Sequence, residues 1–189
     1  MNTTINLTKL EQKRKEILDS YRKKQSFKVS TGQKYLINGE EKMAKWFDYE
    51  FFQKKWKLRE VLKDEIVIEF DNNDKYLTLK GINFTALNLY NAGYSFEIWD
   101  HGGKSPHLHL HNLPIAHLEK DKLRLFKKLF IRKYVPKEFL NWVDISLTGI
   151  HLLAIEESPH WKGCYGTKEL IFKFNPEKDL DIIKGAEEK

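Results

Sequence analysis

Residues 101–111 read His-Gly-Gly-Lys-Ser-Pro-His-Leu-His-Leu-His, a glycine turn feeding a short strand. Strand side chains alternate between faces, so His107, His109 and His111 share one face, and Leu108 and Leu110 share the other. The backbone N–H groups of the turn at Gly103, the Lys104 ammonium and the His107 imidazole suit phosphate or a metal-bound anion. Three readings of the histidines stand side by side. All three bind zinc or iron together; or His107 alone, nearest the turn, contacts phosphate; or the three are ordinary surface or part-buried residues.

A second constellation lies in residues 65–71, Glu-Ile-Val-Ile-Glu-Phe-Asp. Glu69 and Asp71 are two apart at a strand end, so they face one side, roughly 6–7 Å apart along the backbone. Two carboxylates that close repel unless a cation lies between them. Hard oxygen ligands suit Mg²⁺ or Mn²⁺, and a third carboxylate commonly completes a two-ion site. Asp144, after the apolar Trp142-Val143, is the best-placed third ligand. Read blandly, Glu69 and Asp71 are solvent-facing strand ends. A further block, Ser158-Pro-His160-Trp-Lys162-Gly163, sets a hydroxyl, an imidazole and an ammonium at alternate positions, all able to hold phosphate. Carboxylates plus two anion-holding segments describe a nucleoside triphosphate site.

The elements that position these groups follow from periodicity and turn residues. Residues 7–26 read as a polar helix with a thin stripe of Leu7, Leu10, Ile17, Leu18 and Tyr21. Residues 41–62 carry Trp46, Phe47, Tyr49, Phe51, Phe52 and Trp56 and read as partly helical, with core packing ahead of base stacking as their role. Residues 78–92 read as a helix closed by Gly93, residues 94–99 as a strand, and residues 115–133 as a basic amphipathic helix ended by Pro136. Residues 152–155 and 170–174 read as strands. The alternation of helices and strands gives an α/β or α+β class with a mixed sheet.

With 41% hydrophobic and 13% aromatic residues, the 189-residue chain can bury a full core. No apolar run is long enough to span a membrane. The first residues lack the layout of a secretion signal, so a cytoplasmic location is expected. The one cysteine, Cys164, excludes an intrachain disulfide and a multi-cysteine zinc site. Residues 1–60 hold 15 Lys and Arg against 8 Asp and Glu, a net of +7, whereas residues 61–189 are close to neutral. Such a basic lead on a neutral body points to an anionic partner, nucleic acid first.

The order of motifs resembles the archaeo-eukaryotic primase superfamily over roughly residues 64–174. That family's metal-binding Asp-x-Asp is matched by Glu69 and Asp71. Its Ser-Gly-x-x-Gly-x-His run, whose histidine contacts the incoming nucleotide, is matched by residues 101–107, ending at His107. Its later metal-binding Asp is matched by Asp144, and its Ser-Leu-His-x-Lys block by residues 158–163. Here Glu69 replaces an Asp, His101 stands where a small hydroxyl is usual, and Ser105-Pro106 replaces a Gly-x pair. The arginine often found before the last block, and the structural zinc element of many primases, are missing.

The resemblance implies a mixed-sheet primase-polymerase core with an RRM-like element and flanking helices. It further implies DNA primase or primase-polymerase activity, that is, nucleotidyl transfer with Mg²⁺ or Mn²⁺ held by Glu69, Asp71 and Asp144. Phosphate contacts would come from Gly103, Lys104, His107, Ser158, His160 and Lys162. Expected partners are nucleoside triphosphates, a single-stranded or primed template, and a larger primase or helicase subunit, with no membrane. The expected organisation is a basic, aromatic-rich lead over 1–60, a catalytic core over 61–176 and a charged tail over 177–189. Two rivals are an inactive primase-like nucleic-acid-binding module, and a cupin-like or hydrolytic enzyme using the strand histidines.

Overall fold

The computed structural model describes residues 7–32, 34–37, 40–100, 105–159 and 166–176. In chain order they form α1 (Lys9–Arg22), β1 (Lys28–Ser30), β2 (Lys34–Ile37), β3 (Glu40–Met43), β4 (Phe47–Asp48), β5 (Leu58–Glu60) and β6 (Ile66–Glu69). Then come α2 (Lys75–Asn91), β7 (Phe96–Asp100), β8 (His107–Leu110), α3 (Lys120–Tyr134), 3-10 turns at Lys137–Trp142 and Ile145–Thr148, β9 (Leu152–Ala154) and β10 (Glu169–Phe174). The class is mixed α/β, as expected, but the sheets are small and antiparallel in their β1, β5, β6, β7 and β8 pairings.

The chain divides into two compact units. One takes Met1–Glu60 and Leu152–Glu169, and the other Val61–His151 and Leu170–Lys189. The sequence reading drew residues 61–176 as one core; by its contacts, the segment 152–169 groups instead with the first 60 residues.

In the first unit a sheet of order β4-β1-β5-β9 is accompanied by the β2-β3 hairpin. Helix α1 starts in a capping box: the Thr8 hydroxyl accepts the Glu11 N–H at 3.2 Å and the Glu11 carboxylate accepts the Thr8 N–H at 2.7 Å. The helical reading of residues 41–62 does not hold, because the described part of that stretch contributes β3, β4 and β5. Its aromatics divide between roles. Tyr49, Phe52 and Trp56 are buried, while Phe47 and Phe51 are exposed beside Lys55 in a cleft of about 410 Å³. A buried ion cluster ties the late segment to the early sheet. Arg59 on β5 reaches Glu156 through two bonds of 2.9 and 2.5 Å, and Lys168 lies 3.6 Å from the same carboxylate.

In the second unit the sheet order is β10-β7-β8-β6. Alternation splits its residues cleanly. Ile66, Ile68, Phe70, Phe96, Ile98, Leu108 and Leu110 join Ile82 and Leu89 of α2 and Phe130, Ile131 and Tyr134 of α3 in one apolar core. The opposite parity carries the acids and histidines. Asp74 caps α2 by accepting the Tyr76 and Leu77 N–H groups at 2.8 and 3.3 Å, so that helix begins three residues before the periodicity placed it. Gly93, at φ 73°, closes α2 with the Gly93 N–H on Tyr90 and the Tyr94 N–H on Leu89, as expected of a glycine cap.

Helix α2 crosses the core at Gly81, where an added Cβ would meet the Phe70 ring at 3.0 Å. Phe70 is fully buried and edge-on to Phe139, so its ring has little room to yield. Gly81→Val is therefore expected to destabilise the fold by about 1–3 kcal/mol, despite removing a helix glycine. Urea unfolding checks this, and a midpoint at or above that of the parent chain would contradict it.

Candidate functional site

Three backbone ladders bring the separated motifs together. Strand β6 pairs with β8 so that Glu69 lies opposite His107, and β7 pairs with β8 so that Trp99 lies opposite His107. Beyond β6, Phe70 bridges Val143 in antiparallel sense. The Asp144 N–H donates to the Glu69 carbonyl at 2.9 Å, and the Asp71 N–H donates to the Trp142 carbonyl at 2.6 Å. Directly opposed residues project to one face with Cβ atoms about 4.5–5.5 Å apart. Trp99, His107, Glu69 and Asp144 thus form a row across the sheet, with Asp71 two residues on from Glu69 on the same face. The backbone register thus sets Asp144 opposite Glu69, with Asp71 two residues on, although the sequence separates Asp71 from Asp144 by more than seventy residues.

Local bonds set the side chains. His107 Nε2 lies 3.4 Å from Glu69 Oε2, so Glu69 has the imidazole on one flank and Asp144 on the other. Asp144 also caps the following 3-10 turn, its Oδ1 accepting the Ser146 N–H at 2.9 Å. Asp71 is exposed, and Glu69 and Asp144 are half-buried. Ser105 is buried behind the row, and its hydroxyl accepts the Phe70 N–H at 3.3 Å. The Ser105-Pro106 departure from the primase pattern thereby supports the backbone between Glu69 and Asp71. A serine before proline in a glycine-rich turn hinted at this, but nothing local named Phe70 as its partner.

The remaining expected residues stand differently. Gly103, Lys104, His160 and Lys162 lie outside the described residues, as do His101 and Cys164. Ser158 belongs to the first unit and is fully buried there. Its hydroxyl accepts from Arg14 Nη1 at 3.4 Å, so the side chain is engaged inside that unit rather than presented to phosphate. Burial lowers the Arg14 guanidinium, with Glu11 opposing the shift.

The three strand histidines share one face, as their spacing predicts, with ring centroids 5.9 and 5.6 Å apart. They do not act as one trio. His107 belongs to the Glu69 row, whereas His109 Nδ1 lies 2.8 Å from Glu65 Oε1 and His111 Nδ1 lies 3.7 Å from the same oxygen. The sequence reading assigns Glu65 no chemical role. The parity of 65, 67, 69 and 71 places it on the histidine face and was the available signal.

No protein-family model matches the chain, and no curated protein or solved structure matches it either. Among the described residues, no helix is long and apolar enough to cross a membrane.

Among the described residues, the ligand atoms that lie within 4.8 Å of one another as a group of three are those of Glu65, His109 and His111. Glu69, Asp71 and Asp144 share the row through backbone register, and Asp144 Oδ1 is occupied in capping the turn.

Proposed function

We propose that the chain is a metal-dependent nucleotidyltransferase of the primase-polymerase kind, adding nucleotides to a nucleic-acid strand. One observation supports the reading: the Phe70–Val143 bridge sets Asp144 opposite Glu69, which itself lies opposite and 3.4 Å from His107, with Asp71 two residues on. These are the positions that match the primase motifs, and they are drawn from three distant stretches.

In this reading Glu69, Asp71 and Asp144 hold Mg²⁺ or Mn²⁺. Bound there, divalent cations neutralise the charge of a triphosphate and of its leaving pyrophosphate. The carboxylates fix the position of the reacting end, and their mutual repulsion is relieved only when that charge is present. His107, buried beside Glu69, would donate to a phosphate oxygen that reaches its ring. Gly103 and Lys104, four and three residues before His107 in the sequence, would add backbone N–H groups and an ammonium. The basic first sixty residues supply sequence-independent contacts to a template backbone.

The experiment is incorporation by the full chain on a primed and an unprimed template, with ribo- and deoxyribonucleoside triphosphates, in Mg²⁺ and in Mn²⁺. Cation-dependent extension, abolished by chelator, is the expected result. Triphosphate or template binding without incorporation under either cation overturns the enzyme reading and assigns the inactive binding module instead.

A further inference from the structure

We propose that Glu65, His109 and His111 form a second metal site, for zinc, separate from the carboxylate row. Their ligand atoms lie within 4.8 Å of one another. The Glu65 oxygen is 2.8 Å from the His109 nitrogen and 3.7 Å from the His111 nitrogen. Zinc bonds of about 2.0–2.1 Å in a tetrahedron set ligand atoms about 3.3–3.4 Å apart. The two distances bracket that value, and all three ligand atoms lie within 4.8 Å, so closing any separation to the tetrahedral value takes at most about 1.5 Å.

The donor chemistry selects the metal class. Two imidazoles and one carboxylate suit zinc, whereas Mg²⁺ prefers an all-oxygen shell. The row at Glu69, Asp71 and Asp144 has the opposite composition, so one sheet face carries two sites of different taste. The surroundings resemble a supporting shell. Glu65 Oε2 accepts the Leu62 N–H at 3.0 Å, which fixes the carboxylate plane. His111 Nε2 lies 3.8 Å from Glu97 Oε2, a carboxylate that also receives the Trp99 indole N–H at 3.0 Å. At 3.8 Å that carboxylate acts on the imidazole through its charge and not through a hydrogen bond.

Burial fits a site that retains its ion. Glu65 and His109 have no exposed side-chain surface, and His111 keeps 18%, which admits water as a fourth ligand. An ion held there would tie the turn at residues 62–65 to the end of β8.

The test uses the tag-free 189-residue chain, stripped with chelator and reconstituted with Zn²⁺ or Co²⁺. About one ion per chain is expected to survive gel filtration. The Co²⁺ form should show the strong visible bands of four-coordinate cobalt. His111→Ala, at the least buried ligand, should lose at least about nine-tenths of that ion while keeping its circular dichroism. The Asp71→Asn and Asp144→Asn variants should retain it. The proposal is overturned if the parent chain holds no ion after reconstitution, or if His111→Ala holds as much as the parent. Loss of the ion in Asp71→Asn would likewise overturn it, placing the metal on the carboxylate row.

Discussion

Asp144→Asn is expected to lower cation-dependent nucleotide incorporation about 10³-fold, equivalent to about 4 kcal/mol of transition-state stabilisation. Asparagine is the informative substitution because Asp144 has two duties. Its Oδ1 caps the 3-10 turn at Ser146, and an amide oxygen caps as well as a carboxylate. Its backbone N–H on Glu69 is untouched by any side-chain change. The variant should therefore melt within about 0.5 kcal/mol of the parent while losing activity, which separates ligand loss from unfolding. Glu69 gives a companion case. Glu69→Gln should lose activity to a similar extent, whereas Glu69→Asp, the residue usual in primases, should retain a substantial fraction. Primer-extension rates with Mn²⁺ check all three variants, and full activity in Asp144→Asn would remove the row from the chemistry.

Glu156→Gln is expected to destabilise the chain by about 3–5 kcal/mol, a large share of the stability of a domain this size. Arg59, Glu156 and Lys168 are all fully buried. The Glu156 carboxylate accepts from Arg59 Nε and Nη2, and Lys168 Nζ lies 3.6 Å away while donating to the Ala154 carbonyl at 3.0 Å. Arg59 also stacks 4.8 Å over the Tyr21 ring, which braces the guanidinium. Removing the anion that two buried cations share leaves their desolvation uncompensated. Replacing all three by apolar residues of similar volume should cost far less, because the penalty lies in the imbalance and not in the site. Urea unfolding of the single and triple variants makes the comparison. A loss under about 1 kcal/mol for Glu156→Gln would show that the cluster is hydrated in solution.

The contrast between these two sites explains what sequence could reveal. Strand parity is a local rule, so the shared face of His107, His109 and His111 and the pairing of Glu69 with Asp71 were readable directly. Motif order singles out Asp144 as a candidate, while its register opposite Glu69 needed the fold. The Arg59–Glu156 pair spans 97 residues, and no local pattern marks either partner. Nor does any local pattern assign residues 152–169 to the unit of the first sixty.

Two element readings failed for physical reasons. The dense aromatics over 41–62 suggest a helix, but Tyr49, Phe52 and Trp56 are buried from the irregular chain between β4 and β5. The start of α2 was read late because Asn72-Asn73-Asp74 looked only like a turn, when its last residue is the helix cap.

Mn²⁺ binding, followed by electron paramagnetic resonance in the presence of a non-hydrolysable nucleoside triphosphate, tests the carboxylate row most directly. The parent chain should bind the ion, with affinity weakened at least about 10-fold in Asp71→Asn and in Asp144→Asn and unchanged in His111→Ala. Equal Mn²⁺ binding by the parent and both aspartate variants would contradict the account.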